Sequence, residues 1–162
     1  MDDPSDSRTR SPVEQGRARY DRDLYSWAVE QAELLRAGRI AEADVLNIAE
    51  EIDDVGNEQY DKLESALRII LLHLLKWDHQ PERRSRSWHA SIAVQRKHVA
   101  KVLRKNPGLK PLIDEALTEA YDIARIEAAA QTSRDQDTFP PECPYSFADT
   151  MERSINWPPR GE

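Results

Sequence analysis

A chain of 162 residues falls within the usual size of one domain and can bury a core without disulfides. Its formal charge of −7, with 33% charged residues, suits a soluble chain and argues against a general polyanion binder, so any nucleic-acid contact has to be local. The single cysteine, Cys143, cannot form an internal disulfide and fits a reducing compartment, which points to the cytoplasm.

Residues 1–19 contain Val13 as their only large apolar residue and carry charges of both signs. They lack the apolar centre of a secretory signal and read as a disordered tail. The pattern predicts a single all-helical domain over residues 20–158 and a flexible end at 159–162. From Tyr20 onward apolar residues recur at helical spacing, and no alternating run suggests a strand. The predicted fold is all-α: a compact bundle of about five or six helices with a long antiparallel helical hairpin and a Pro-rich C-terminal strap.

Leu24, Trp27, Ala28, Gln31, Leu34 and Leu35 share one face of a first helix. Asp21 or Asp23 caps it and Gly38 stops it. Asp44 opens the next. There Val45, Ile48, Ala49, Ile52, Gln59, Tyr60, Leu63, Leu67, Ile70, Leu74 and Trp77 stay on one stripe when each residue turns by about 100°. The phase survives Gly56, which allows either one long helix or two. A mid-helix glycine costs about 1 kcal/mol, too little to decide. Ile69, Leu71, Leu72 and Leu75 widen the apolar surface around this helix. Other helices then enclose it, or Leu72 meets a second subunit in self-association. The apolar run at residues 69–75 is far shorter than the roughly 20 residues of a membrane span.

Pro81 ends this segment and Ser85 or Ser87 caps a helix that points Trp88, Ile92, Gln95, Val99, Val102 and Leu103 inward. Asn106, Pro107 and Gly108 stop it. A helix over about residues 112–131 buries Ile113, Ala116, Leu117, Ala120, Tyr121 and Ala124. Five prolines then forbid a continuous helix through residues 138–159, leaving a short helical turn near residues 147–153. Phe139, Tyr145, Phe147 and Trp157 are the side chains expected to pin this strap.

The series YDRDLYSWAVEQAELLRAGR, NIAEEIDDVGN, HLLKWDHQPERRSRSWHASIAVQRK, NPGL, AYDIARIEAAAQT and FPPECPYS resembles the bacterial family known as domain of unknown function 29, over about residues 20–157. The resemblance implies a bacterial, all-helical protein. It implies no reaction and no catalytic residue.

Charge is segregated along the chain. Residues 42–64 hold nine acids against one base, whereas residues 83–113 hold nine bases and no acid. Antiparallel packing of the two segments would explain part of this. Yet Lys97, Lys101 and Arg104 fall at i, i+4 and i+7, nearly opposite Trp88, Ile92 and Val99. They form either an ordinary solvated face or a surface for a partner. Arg83, Arg84 and Arg86 cluster between Trp77 and Trp88, where guanidinium groups can stack on indole or grip a carboxylate or phosphate. They either tie down the hairpin or meet a partner, and Arg and Trp are the residue types that dominate interface hot spots. Nucleic-acid binding is the weaker alternative, because no recognition motif accompanies these bases and the rest of the chain is strongly acidic.

No metal or other cofactor is implied. His73 and His79 lie six apart, His89 and His98 fall on opposite sides of their helix, and no Glu-x-x-His pattern occurs. Glu50, Glu51, Asp54 and Glu58 read as a solvated acidic face opposite Ile48 and Ile52. His73, inside ILLHLL, is either a hydrogen-bonded core histidine or, with Gln31 and Gln95, part of an internal polar pocket. Cys143, beside Glu142 and among prolines, lacks the electropositive setting of a nucleophile. The pattern favours a non-enzymatic interaction protein with a basic Arg/Trp hairpin, over an enzyme or small-ligand binder around His73.

Overall fold

The computed structural model describes residues 11–158. The start of the expected tail, residues 1–10, and the expected flexible end at 159–162 lie outside them. Among the described residues there are six α-helices, joined by short 3-10 turns, and no strand. They are α1 (Pro12–Tyr20), α2 (Leu24–Arg36), α3 (Val45–His79), α4 (Arg86–Lys105), α5 (Ile113–Thr132) and α6 (Phe147–Glu152). Gly56 lies within α3, which is one continuous helix; the cost of one glycine is small beside the packing energy of so long an apolar stripe. The chain divides into two compact units, one ending at Gly56 and one starting at Asn57.

The first unit contains α1, α2 and the start of α3. Residues 12–19, expected as part of a disordered tail, are helical. A capping box accounts for it: the Ser11 hydroxyl accepts the Glu14 N–H at 3.3 Å, and the Glu14 carboxylate accepts the Ser11 N–H at 2.9 Å. Tyr20 then packs edge-on against Trp27, centroids 4.8 Å apart, and its hydroxyl donates to Glu51 at 2.8 Å. That bond raises the Tyr20 pKa to about 12. Asp23 caps α2 by accepting the Ser26 N–H, and Gly38 reverses the chain at a φ of 72° that favours glycine. Trp27 and Gln31 are buried as expected, but Leu24 and Leu35 on the same predicted face are exposed. Val45 and Ile52 likewise project into solvent from the start of α3. Periodicity identifies an apolar face without saying whether anything covers it.

The second unit is a three-helix core. Its first two helices run antiparallel: Lys76 lies over the Trp88 ring beside the turn, while Asn106 Nδ2 meets Gln59 Oε1 at the far end. Pro81 opens the 3-10 turn between them, and Ser85 caps α4 by accepting the Trp88 N–H. The α5 helix runs parallel to α3, tied by Tyr60 to Glu119, Arg68 to Glu127 and Lys76 to Gln131. Between them lie Leu63, Leu67, Ile70, Leu74, Ile92, Val99 and Tyr121, together with the alanines at 116, 120, 124 and 128. Leu72 is only 6% exposed within this unit. Of the two arrangements expected for Leu72, the structure shows enclosure by the neighbouring core.

The residues after α5 cross all three helices. Tyr121 donates to the Pro140 carbonyl and Arg125 Nε to the Phe139 carbonyl, so the segment starts on α5. Tyr145 and Arg153 both bond Asp78 on α3, and Arg96 of α4 donates to the Thr150 carbonyl at 2.8 Å. Phe139 and Tyr145 join the core and Phe147 packs on it, whereas Trp157 is 39% exposed.

Candidate basic interaction face

Arg84 is committed to the fold. Its Nε donates to the Trp77 carbonyl at 3.0 Å while its guanidinium lies 5.3 Å from the Trp77 ring centroid, which closes the turn between α3 and α4. Trp88 is half-buried under the Lys76 ammonium, 4.4 Å from its ring centroid. These two residues staple the hairpin. Arg83 and Arg86 are exposed.

The cations that face outward lie farther along α4. Arg86, Lys97, Lys101 and Arg104 recur at spacings that hold them on one side, away from buried Ile92, Val99 and Val102. All four are exposed, and among the described residues none forms an ion pair. Exposed Ala90, Ala93, Val94 and Ala100 lie between them. A depression of about 490 Å³ opens on this face, lined by Arg86, His89, Ala90, Ala93, Val94 and Trp157. A helix face of cations around small apolar side chains can take the apolar edge of another helix and pair with its acids.

Gln31, Gln95 and His73, the residues of the expected polar pocket, lie in different surroundings. In the first unit Gln31 Oε1 accepts the buried Asp44 N–H at 2.8 Å, a bond that joins the middle of α2 to the residue just before α3. In the second unit Gln95 lines a shallow depression of about 310 Å³ with His98, Glu58 and Ser65, and His73 is not among its lining residues. His73 lies instead 6.4 Å from the Trp88 ring, centroid to centroid, its Nδ1 buried with no hydrogen-bond partner. Burial, assisted by the Lys76 charge, lowers its pKa to about 4. Among the described residues no group of three or more His, Cys, Asp or Glu side chains is arranged to hold a metal ion. The Cys143 thiol donates to the Tyr145 carbonyl at 3.3 Å, and burial pushes its pKa up, away from thiolate character.

His73 carries a pH prediction. Between its ordinary value of 6.5 and its folded value near 4, the unfolded chain binds a proton that the folded chain refuses. Stability supplied by the neutral ring is thus complete above this window and falls as pH drops through it. Urea midpoints at about pH 7 and about pH 5 should differ more in the wild type than in His73→Gln, whose amide does not titrate. An equal difference in both proteins would assign the acid loss to another group.

Two features escaped the sequence reading. Lys76 is 8% exposed and donates to Gln131 at 2.8 Å, a buried cation whose pKa burial lowers. A signal existed, since Lys76 follows Leu72 at i+4 and shares its face. Asp78 is held by Arg153 through bonds of 2.7 and 2.6 Å and by the Tyr145 hydroxyl at 2.8 Å. Nothing local in sequence announces that pairing.

Among the described residues no helix is long and apolar enough to cross a membrane. No match to the chain is found among curated proteins or among solved structures. A family model described as domain of unknown function DUF29 matches residues 19–155, nearly the whole of the described structure, and the chain belongs to that family.

Proposed function

We propose that the chain is a non-enzymatic protein-interaction module whose α4 face, with Arg86, Lys97, Lys101 and Arg104, engages an acidic partner. The observation that carries this reading is that these four cations are exposed around a shallow apolar floor and, among the described residues, form no ion pair. Arg83 extends the face, while Arg84 and Trp88 support it through the hairpin. The cytoplasm, where a chain with one free thiol meets no oxidising machinery, is the compartment that suits it. Protein is favoured over nucleic acid because the chain outside residues 83–113 carries −16, which repels a long polyanion.

The test is capture from a nuclease-treated bacterial lysate by the immobilised chain and by its Arg86→Ala, Lys97→Ala, Lys101→Ala, Arg104→Ala variant, with circular dichroism as the folding control. The wild type should retain an acidic protein that the variant loses by about tenfold or more, with retention falling at high salt. Equal retention by both proteins would sink the reading. A wild-type eluate that carries material from an untreated lysate but is empty from the nuclease-treated one would identify nucleic acid as the ligand.

A further inference from the structure

The first unit is short of core. Among its described residues only Trp27 and Ala43 are buried apolar side chains, whereas nine large apolar residues are exposed. Val45, Leu46, Ile52 and Val55, on the start of α3, are 52%, 65%, 65% and 62% exposed. Val45, Ile48, Ala49 and Ile52 continue the stripe that α4 and α5 cover from Leu63 onward, with Leu46 and Val55 at its two opposite edges. An uncovered apolar helix face of this length marks an interaction surface.

Charge selects what covers it. Residues 42–64 carry nine acids and one base, so two copies of this half-helix repel each other, and an acidic foreign helix is repelled equally. The required surface is basic, has a small-residue floor, and presents unpaired cations. The same chain displays that surface on α4: Ala90, Ala93, Val94 and Ala100 flanked by Arg86, Lys97, Lys101 and Arg104. Large apolar side chains on the acidic helix face small ones on the basic helix, the size relation that lets two helices approach closely.

We infer that the acidic partner of the α4 face is the first half of α3, residues 45–55, of a second copy of this chain. The inference rests on the proposed role of the α4 face and names its occupant. Apolar side chains around Ile52 and Val55 fill the depression beside Ala90, Val94 and Trp157, while Asp53, at the edge of that face, meets Lys97 and Lys101.

Sedimentation velocity on the purified full chain tests this, using two charge-reversed variants whose altered side chains are all exposed. One is Lys97→Glu with Lys101→Glu; the other is Asp53→Lys. The wild type should self-associate at micromolar concentration, less so at high salt. Each variant alone places like charges opposite each other and should associate at least about tenfold more weakly, and an equimolar mixture should recover the wild-type affinity within about threefold. That recovery requires both variants to be folded, so it also controls for misfolding. Ile52→Asp with Val55→Asp should neither self-associate nor bind the α3 charge variant, whereas its intact α4 face should still bind the Lys97→Glu, Lys101→Glu variant. A wild type that stays monomeric, or variants that associate like the wild type, would overturn the inference. If the chain is monomeric while capture still yields an acidic protein lost by the α4 variant, the interaction role survives and only the occupant is wrong. If neither assay responds to the α4 substitutions, both readings fall.

Discussion

Leu67→Ala should lower the unfolding free energy by about 3 kcal/mol, seen as a lower denaturant midpoint with little change in slope. Leu67 is fully buried near the middle of the α3 stripe, with Leu63 and Ile70 on either side. Truncation removes apolar contacts and leaves a hole, and the neighbourhood is poorly equipped to fill it. Ala116, Ala120, Ala124 and Ala128 of α5 are each fully buried, and an alanine has no longer side chain to swing into vacated space. Collapse would require the helices themselves to shift. Ile52→Ala, one apolar truncation on the same helix but at 65% exposure, should change stability by only about 0.5 kcal/mol. A loss below about 1 kcal/mol for Leu67→Ala would show that the core closes around the gap after all.

Asp78→Asn should cost about 2 kcal/mol, because one carboxylate serves two donors that are far away in sequence. Its oxygens accept both Arg153 Nη groups, at 2.7 and 2.6 Å, and the Tyr145 hydroxyl at 2.8 Å. Burial opposes ionisation of Asp78, but the bonds from Arg153 and Tyr145 outweigh it and hold the carboxyl below its ordinary value. The folded value is depressed, so this stabilisation is present above the unfolded value of about 3.9 and is lost as pH falls through the folded one. His73 acts in the window above, so the two acid losses separate along the pH axis. A double-mutant cycle with Arg153→Gln, read by urea unfolding at neutral pH, should give a coupling of about 1 kcal/mol or more. Additive losses would mean that Asp78 and Arg153 act independently, through packing alone.

Helix boundaries were legible because each has a local cause. Asp23, Gly38, Pro81, Ser85 and the Asn106, Pro107, Gly108 stop act on backbone groups within a few residues of themselves. The core stripe from Leu63 to Trp77 was legible for the same reason, since every third or fourth residue repeats the message. The outcome differed where burial depends on what arrives from elsewhere. Val45 and Ile52 lie in phase with Leu63, yet they have no covering helix within the first unit. The basic residues divide in a way that spacing does not show: Arg84 of the hairpin turns back onto Trp77, while Arg83 and Arg86 of the hairpin and Lys97, Lys101 and Arg104 of the α4 stripe stay exposed. Composition counts an arginine without showing whether a carbonyl has claimed it.

The ties to Asp78 also set the order in which the second unit can be completed. Helical bundles usually fold fast because their contacts are local, and the hairpin of α3 and α4 is of that kind. The α3 to α5 ties, by contrast, join residues 55 to 59 apart, and Asp78 finds Tyr145 and Arg153 only 67 and 75 residues later. During synthesis the hairpin emerges first, and Leu63, Leu67, Ile70 and Leu74 wait for the alanine face of α5. A ribosome stalled before residue 139 would hold a chain with all three core helices but without Phe139, Tyr145 or the Arg153 clamp. Such a nascent chain exposes the apolar surface that the last segment covers, and it is the species most open to chaperones and to aggregation.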